Sequence, residues 1–257
     1  MKKYYYLVLA IGLGACNNDS KPAEGSPAKT PAPQTAAATS TGSGDCGSLV
    51  LFRKGAIIEA VSYDASGKES SRQTTTVTDV SSGNGMTLAT ATAASTSSLG
   101  NHTNTMQYKC DGKNLYMDLN AMMQNFKALK DAKADVQNLS FPIQMSEGET
   151  LPEASFTVSM DRGGKKMDIK TTYKNRTVGP KEKVATPAGS WDCFKVNADI
   201  DSEVQGMDEA TKKIMDAVRQ KTKMQMVMWI APGFGMVKME MLMNGKRSSY
   251  TEITSVK

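Results

Sequence analysis

The chain predicts a mainly β protein, a meandering antiparallel sheet with two helices on one face. Three observations carry that expectation. Apolar and polar residues alternate along most of residues 46–257, turns rich in Gly, Asp and Asn interrupt the alternation at hairpin spacing, and only two stretches show helical periodicity. Period-two patterning gives each strand one buried face, and hairpin turns make the pairing antiparallel. The order lacks the regular strand–helix–strand alternation that a parallel sheet requires.

Residues 48–52, 57–63, 70–80 and 86–94 read as the first strands, with Ala65-Ser-Gly-Lys68 and Ser81-Ser-Gly-Asn-Gly85 as turns. Met106, Tyr108 and Cys110 share one parity, as do Leu115, Met117 and Leu119 beyond the turn at 110–113. Residues 120–136 then place Met122, Met123, Phe126, Leu129 and Ala132 at helical spacing, with Asn120 as cap. Phe156, Val158 and Met160 resume the alternation, and a turn at 161–165 leads into Met167, Ile169, Thr171 and Tyr173. Phe194, Val196, Ala198 and Ile200 follow the same pattern. The second helix is expected over 205–220, where Met207, Ala210, Ile214, Met215 and Val218 share a face; acidic residues at its start and Arg219 near its end suit the helix dipole.

The last forty residues are the most patterned. Met224, Met226, Met228 and Ile230 alternate along one strand, Ala231-Pro-Gly-Phe-Gly235 turns it, and Val237, Met239, Met241 and Met243 alternate along the return. Asn244-Gly245 then opens a tight hairpin into the final strand. Methionine is unbranched and adaptable, so Met224, Met226, Met228, Met239, Met241 and Met243 have three readings. They are core beneath a helix, the lining of an apolar groove for an acyl chain or similar ligand, or, least in keeping with strand alternation, soft ligands for copper(I).

Composition excludes several functions. With 31 Lys and Arg against 26 Asp and Glu, and no Arg-rich block, nucleic acid is not an expected partner. The one histidine, His102, falls in a stretch that reads as a loop, and no nucleophile elbow, phosphate loop or zinc-binding helix motif is present. Asp161, Asp168, Asp192 and Asp199 sit at outward parity, where solvated carboxylates are the default. The expectation is therefore a protein without catalytic residues, cofactor or metal. Beyond Cys16, the three cysteines allow one disulfide and one free thiol. Cys110 and Cys193 both lie in strand-like segments and form the favoured pair; three unpaired thiols, counting Cys46, are the other reading.

Two resemblances extend these readings. Trp229-Ile-Ala-Pro-Gly-Phe-Gly-Met-Val-Lys-Met-Glu240, Asn244-Gly-Lys, Tyr250-Thr-Glu-Ile253 and Trp191-Asp-Cys-Phe-Lys195 resemble the closing hairpins of TapB-like envelope proteins and, more distantly, the lipoprotein-carrier fold. The likeness implies a strongly curved antiparallel sheet, an open half-barrel with helices on its concave face. It brings no catalytic residues.

The amino terminus resembles a bacterial lipoprotein signal: Lys2 and Lys3, an apolar run over 4–13, then Leu13-Gly14-Ala15-Cys16 as lipobox. The run is too short to span a bilayer core of about 30 Å. The likeness implies cleavage between Ala15 and Cys16 and a lipid, with acyl chains of the palmitate kind, on Cys16. Asn17 after the anchor, where Asp would signal inner-membrane retention, implies the outer membrane, facing the periplasm. The domain plan is then a signal over 1–15, a lipid-anchored disordered tether rich in Pro, Ala, Ser and Thr over 16–45, and one β domain over 46–257. The expected partners are the membrane and either an apolar small molecule or an envelope protein. A self-filled core with a docking role is the alternative.

Overall fold

The computed structural model describes residues 45–98, 100–117, 133–137, 140–162 and 165–257. The expected signal, Cys16 and the tether up to residue 44 lie outside them, as does the helical pattern over 120–132.

The alternating runs form β1 (Ile57–Asp64), β2 (Glu69–Gly83), β3 (Met86–Ser97), β4 (Gly100–Cys110) and β5 (Asn114–Met117). Next come β6 (Lys133–Gln137), β7 (Ser140–Pro142), β8 (Ala154–Arg162), β9 (Lys165–Thr186) and β10 (Gly189–Gln205). The helix α1 (Glu209–Lys221) precedes β11 (Met224–Ala231), β12 (Gly235–Met243) and β13 (Lys246–Val256). Among the described residues these thirteen strands make one sheet, ordered β6-β8-β9-β10-β11-β12-β13-β1-β2-β3-β4-β5-β7. Every pairing is antiparallel, and the sheet curls into a nearly closed barrel, as the curved-sheet expectation requires. Asn84-Gly85 and Asn244-Gly245 have paired positive φ values (53° and 73°, 52° and 75°), the hairpin geometry that matches strand twist.

Register sets the core by placing small residues opposite large ones. Ala89 faces Tyr108 and Ala91 faces Met106 across β3 and β4, and all four are buried. Val196 faces Met228 and Ala198 faces Met226 across β10 and β11. Gly206, just after β10, is obligatory: its φ is +84°, and a Cβ there would stand 2.0 Å from the Lys166 carbonyl oxygen.

Four expectations are corrected. Residues 48–52 are not a strand; two 3-10 turns, Cys46–Ser48 and Val50–Phe52, occupy the region. Consecutive apolar residues there bury together against β2 and β3, and Asp45 accepts a hydrogen bond from Gly47 N at 2.9 Å to start the first turn. His102 lies in β4 opposite Ser95 and not in a loop. Residues 133–136, the end of the first expected helix, belong to β6, where pairing with β8 overrides helical spacing. Finally, α1 starts four residues later than expected, because β10 continues to Gln205 and Asp208 caps the helix, accepting from Thr211 N at 2.9 Å. Arg219 pins α1 to Asp201 (3.3 Å) and Glu203 (3.1 Å) of β10, while Ile214 and Val218 stay 60% and 52% exposed.

Candidate functional site

The methionine strands form one continuous wall. Direct partners in an antiparallel pair point to the same face, and the register sets Met224 opposite Met243, Met226 opposite Met241 and Met228 opposite Met239. β10 extends this face with Ile200 beside Met224 and Phe194 beside Ile230. The wall borders a cavity of about 300 Å³. Met224, Met226, Met228, Met239 and Met241 line it. Met243 does not; at the far end of β12 it is 47% exposed. Met236, which the sequence pattern did not single out, joins the lining near the β11–β12 turn, together with Phe234.

The opposite side of the cavity is built by Leu49, Leu51 and Ile58 and by Leu115, Phe141 and Ile143. A few polar groups are set among them. Gln73 donates to Thr75 Oγ1 (3.1 Å), and the Thr171 and Ser202 hydroxyls lie 3.3 Å apart. The Tyr108 phenol is also on the wall, where burial pushes its pKa up to about 12.

One residue of the site breaks the apolar pattern. In β9, Thr171 and Tyr173 face the cavity, and strict alternation would bring Asn175 in next. Instead the register against β10 slips between Asn197 and Asp199, and Asn175 takes a left-handed φ of 51°. This bulge turns Asn175 outward, where its Nδ2 donates to Asp199 Oδ2 at 2.8 Å. It turns Arg176 inward, to 2% exposure. Nη1 donates to the Pro152 carbonyl (2.9 Å) and Nη2 to the Ser140 carbonyl (2.8 Å), and the guanidinium carbon stands 5.3 Å from the Phe141 ring centroid. Burial pulls the Arg176 pKa below its ordinary value, with nearby Tyr173 opposing. Among the described residues Arg176 is the only charged one that lines the cavity. The segment before β8 is fastened at the same place: Leu151 N donates to Arg176 O (2.8 Å) and Val178 N to Glu149 O (2.9 Å).

Sequence reasoning missed Arg176, although a signal was present. Inward parity is odd at Thr171 and Tyr173 and even at Val178, so an extra residue must lie between them, and Asn175 is a residue type that tolerates positive φ.

The expected Cys110–Cys193 disulfide is corrected. Cys46 pairs with Cys110, with Cα atoms 5.9 Å apart, and Cys193 is a buried free thiol. The 3-10 turn carries Cys46 against the end of β4, and no periodicity in the sequence marks that approach. Burial, then the Asp192 and Glu182 charges, push the Cys193 thiol up to about 12. His102 is exposed and does not line the cavity. Asp161 and Asp192 are exposed, whereas Asp168 and Asp199 are half-buried beside Lys166 and Lys223. Among the described residues no group of three His, Cys, Asp or Glu side chains is placed to hold a metal ion.

Comparison with known proteins places this architecture. No curated protein matches the chain. Two solved structures share its fold. One is a candidate exported protein with a YmcC-like fold from Bacteroides fragilis, 19% identical, with a TM-score of 0.57 over 80% of this chain and 96% of that one. The other is a candidate lipoprotein from Parabacteroides distasonis, 18% identical, with a TM-score of 0.58 over the same shares. At this identity the likeness is one of fold. The family model that matches is DUF3108-like, and it covers residues 53–253, from the turn before β1 to the middle of β13. The chain belongs to the DUF3108-like family.

Proposed function

We propose that this protein is a non-catalytic lipoprotein of the bacterial envelope, anchored through Cys16 to the outer membrane and facing the periplasm, whose barrel holds an apolar small molecule. The lipobox at 13–16 supports the anchor. The two structural neighbours, a candidate exported protein and a candidate lipoprotein, agree with that setting.

The observation that carries the ligand reading is the cavity itself. Its volume of about 300 Å³ is at the lower end of the range for small-molecule sites, and its wall is methionine, leucine, isoleucine and phenylalanine with few polar groups. Methionine suits such a wall because it repacks around irregular apolar shapes. Native mass spectrometry of the purified protein tests the reading. The expected result is a co-purifying small-molecule mass that disappears in Met226→Asp or Met241→Asp variants with unchanged circular dichroism. A clean apo mass, unaltered after incubation with fatty acids and phospholipids, contradicts it.

A second reading has its own observation. Ile214 and Val218 form an uncovered apolar stripe on α1 that suits an envelope protein partner. On that reading, Ile214→Lys abolishes co-isolation of the partner and leaves the ligand content unchanged.

A further inference from the structure

The Arg176 environment specifies the ligand further. A buried guanidinium is stable when a carboxylate or phosphate balances it, because desolvating a lone charge costs far more than burying a neutral group. Among the described residues Arg176 makes no ion pair and no Asp or Glu lines the cavity. Its partners among the described residues are two main-chain carbonyls and an aromatic face, all neutral. These use one proton on each terminal nitrogen, and a guanidinium carries five N–H donors. The bulge at Asn175 has a cost of its own, since a non-glycine residue is held at positive φ. Its effect is to bring a cation to an otherwise apolar wall. The polar groups nearest in the chain and across the strand pair, Tyr173, Thr171 and Ser202, lie on that wall, whereas the methionines of β11 and β12 carry none of its charge.

From this arrangement we infer that the cavity takes a single-chain anionic amphiphile, a long-chain carboxylic acid, with its carboxylate on Arg176 and its alkyl chain along the methionine wall. The inference rests on the ligand reading above and deepens it. A cavity of about 300 Å³ is at the lower end for small-molecule sites, which favours one chain over the two of a diacyl lipid. A charge-assisted, bidentate guanidinium–carboxylate contact is the strong form of a hydrogen bond and distinguishes a carboxylate from a neutral head of the same length.

The test is a headgroup series on the full chain carrying Cys16→Ala, so that no lipid is attached at residue 16. Dodecanoate, dodecyl phosphate and dodecanol compete for a bound fluorescent fatty-acid probe, in the parent and in Arg176→Gln and Arg176→Lys. The expected result is dodecanoate binding at least about tenfold more tightly than dodecanol to the parent. Arg176→Gln removes that ratio while dodecanol affinity stays, and Arg176→Lys retains part of it. Tighter binding of dodecyl phosphate than dodecanoate overturns the carboxylate assignment. Equal binding of dodecanoate and dodecanol to the parent overturns the inference and leaves the apolar-ligand reading standing. No binding of any of the three overturns both. Because the parent series alone separates these results, a failure of either variant to fold does not blunt the test.

Discussion

Two walls of the barrel solve the same packing problem differently. On β3, Ala89, Ala91 and Ala93 are buried to within 3% and leave room above the sheet. The Val50–Phe52 turn fills it, and the Cys46–Cys110 disulfide ties that segment to the end of β4. On β11 and β12 the corresponding face is methionine, long enough to reach inward, yet it borders the cavity. Small residues with a fastened plug make a closed core. Flexible residues that border open space among the described residues make a wall that can repack around a guest. The opposite face of β11 shows that the strand itself can bury its side chains: Trp229 is 8% exposed, with Lys195 and Lys238 ammonium groups 5.6 and 4.8 Å from its ring centroid and its indole N–H donating to Glu182. The open space is therefore specific to the inner face.

The contrast can be broken most severely at the plug. Phe52→Ala empties a packed site and is expected to cost about 3–5 kcal/mol, read as a lower urea midpoint at unchanged slope. Losing the Cys46–Cys110 bridge, by Cys46→Ser with Cys110→Ser, releases a loop with a sequence separation of 64 and should cost about 2–4 kcal/mol in the same assay. Ala91→Leu forces a larger side chain beneath the plug, and overpacking of this kind costs about 1–3 kcal/mol. Met239→Leu, on the open wall, should cost less than about 1.5 kcal/mol, because volume is kept and the site has room to adjust. If Met239→Leu destabilises as strongly as Ala91→Leu, the two walls are equally packed and the comparison fails.

Cys193 supplies the mildest check on the closed part of the fold. With its pKa pushed up to about 12, the native thiol is ionised to roughly one part in ten thousand at about pH 8. A thiol reagent should therefore label it only on unfolding. The sign of the linkage also follows. Because the native pKa is raised, the contribution of Cys193 to stability is intact below the unfolded thiol value and is lost as pH rises toward about 12.

Much of the sheet was legible because its signals are local. The Asn244-Gly245 hairpin, the alternation through β10 to β12 and the polarity of α1 are written in adjacent residues, and the register brings the methionines onto the wall that their parity implied. What escaped depends on residues that meet only after folding. Cys46 sits in a non-periodic turn, so nothing in its surroundings pointed to Cys110. His102 reads as a loop residue because Asn, Thr and Gly surround it, but pairing with β3 satisfies that backbone as strand. Arg176 was hidden by the assumption of unbroken alternation; a single bulge reversed the parity of β9 and carried a charged group to the cavity wall.

The most direct test of the open wall is the NMR spectrum of the protein with isotope-labelled methionine methyl groups, recorded as dodecanoate is added. The account predicts that Met226, Met228, Met239 and Met241 shift, whereas Met106, buried opposite Ala91 on the closed wall, keeps its position. Unchanged spectra, or shifts at Met106 as large as those at Met228, would contradict it.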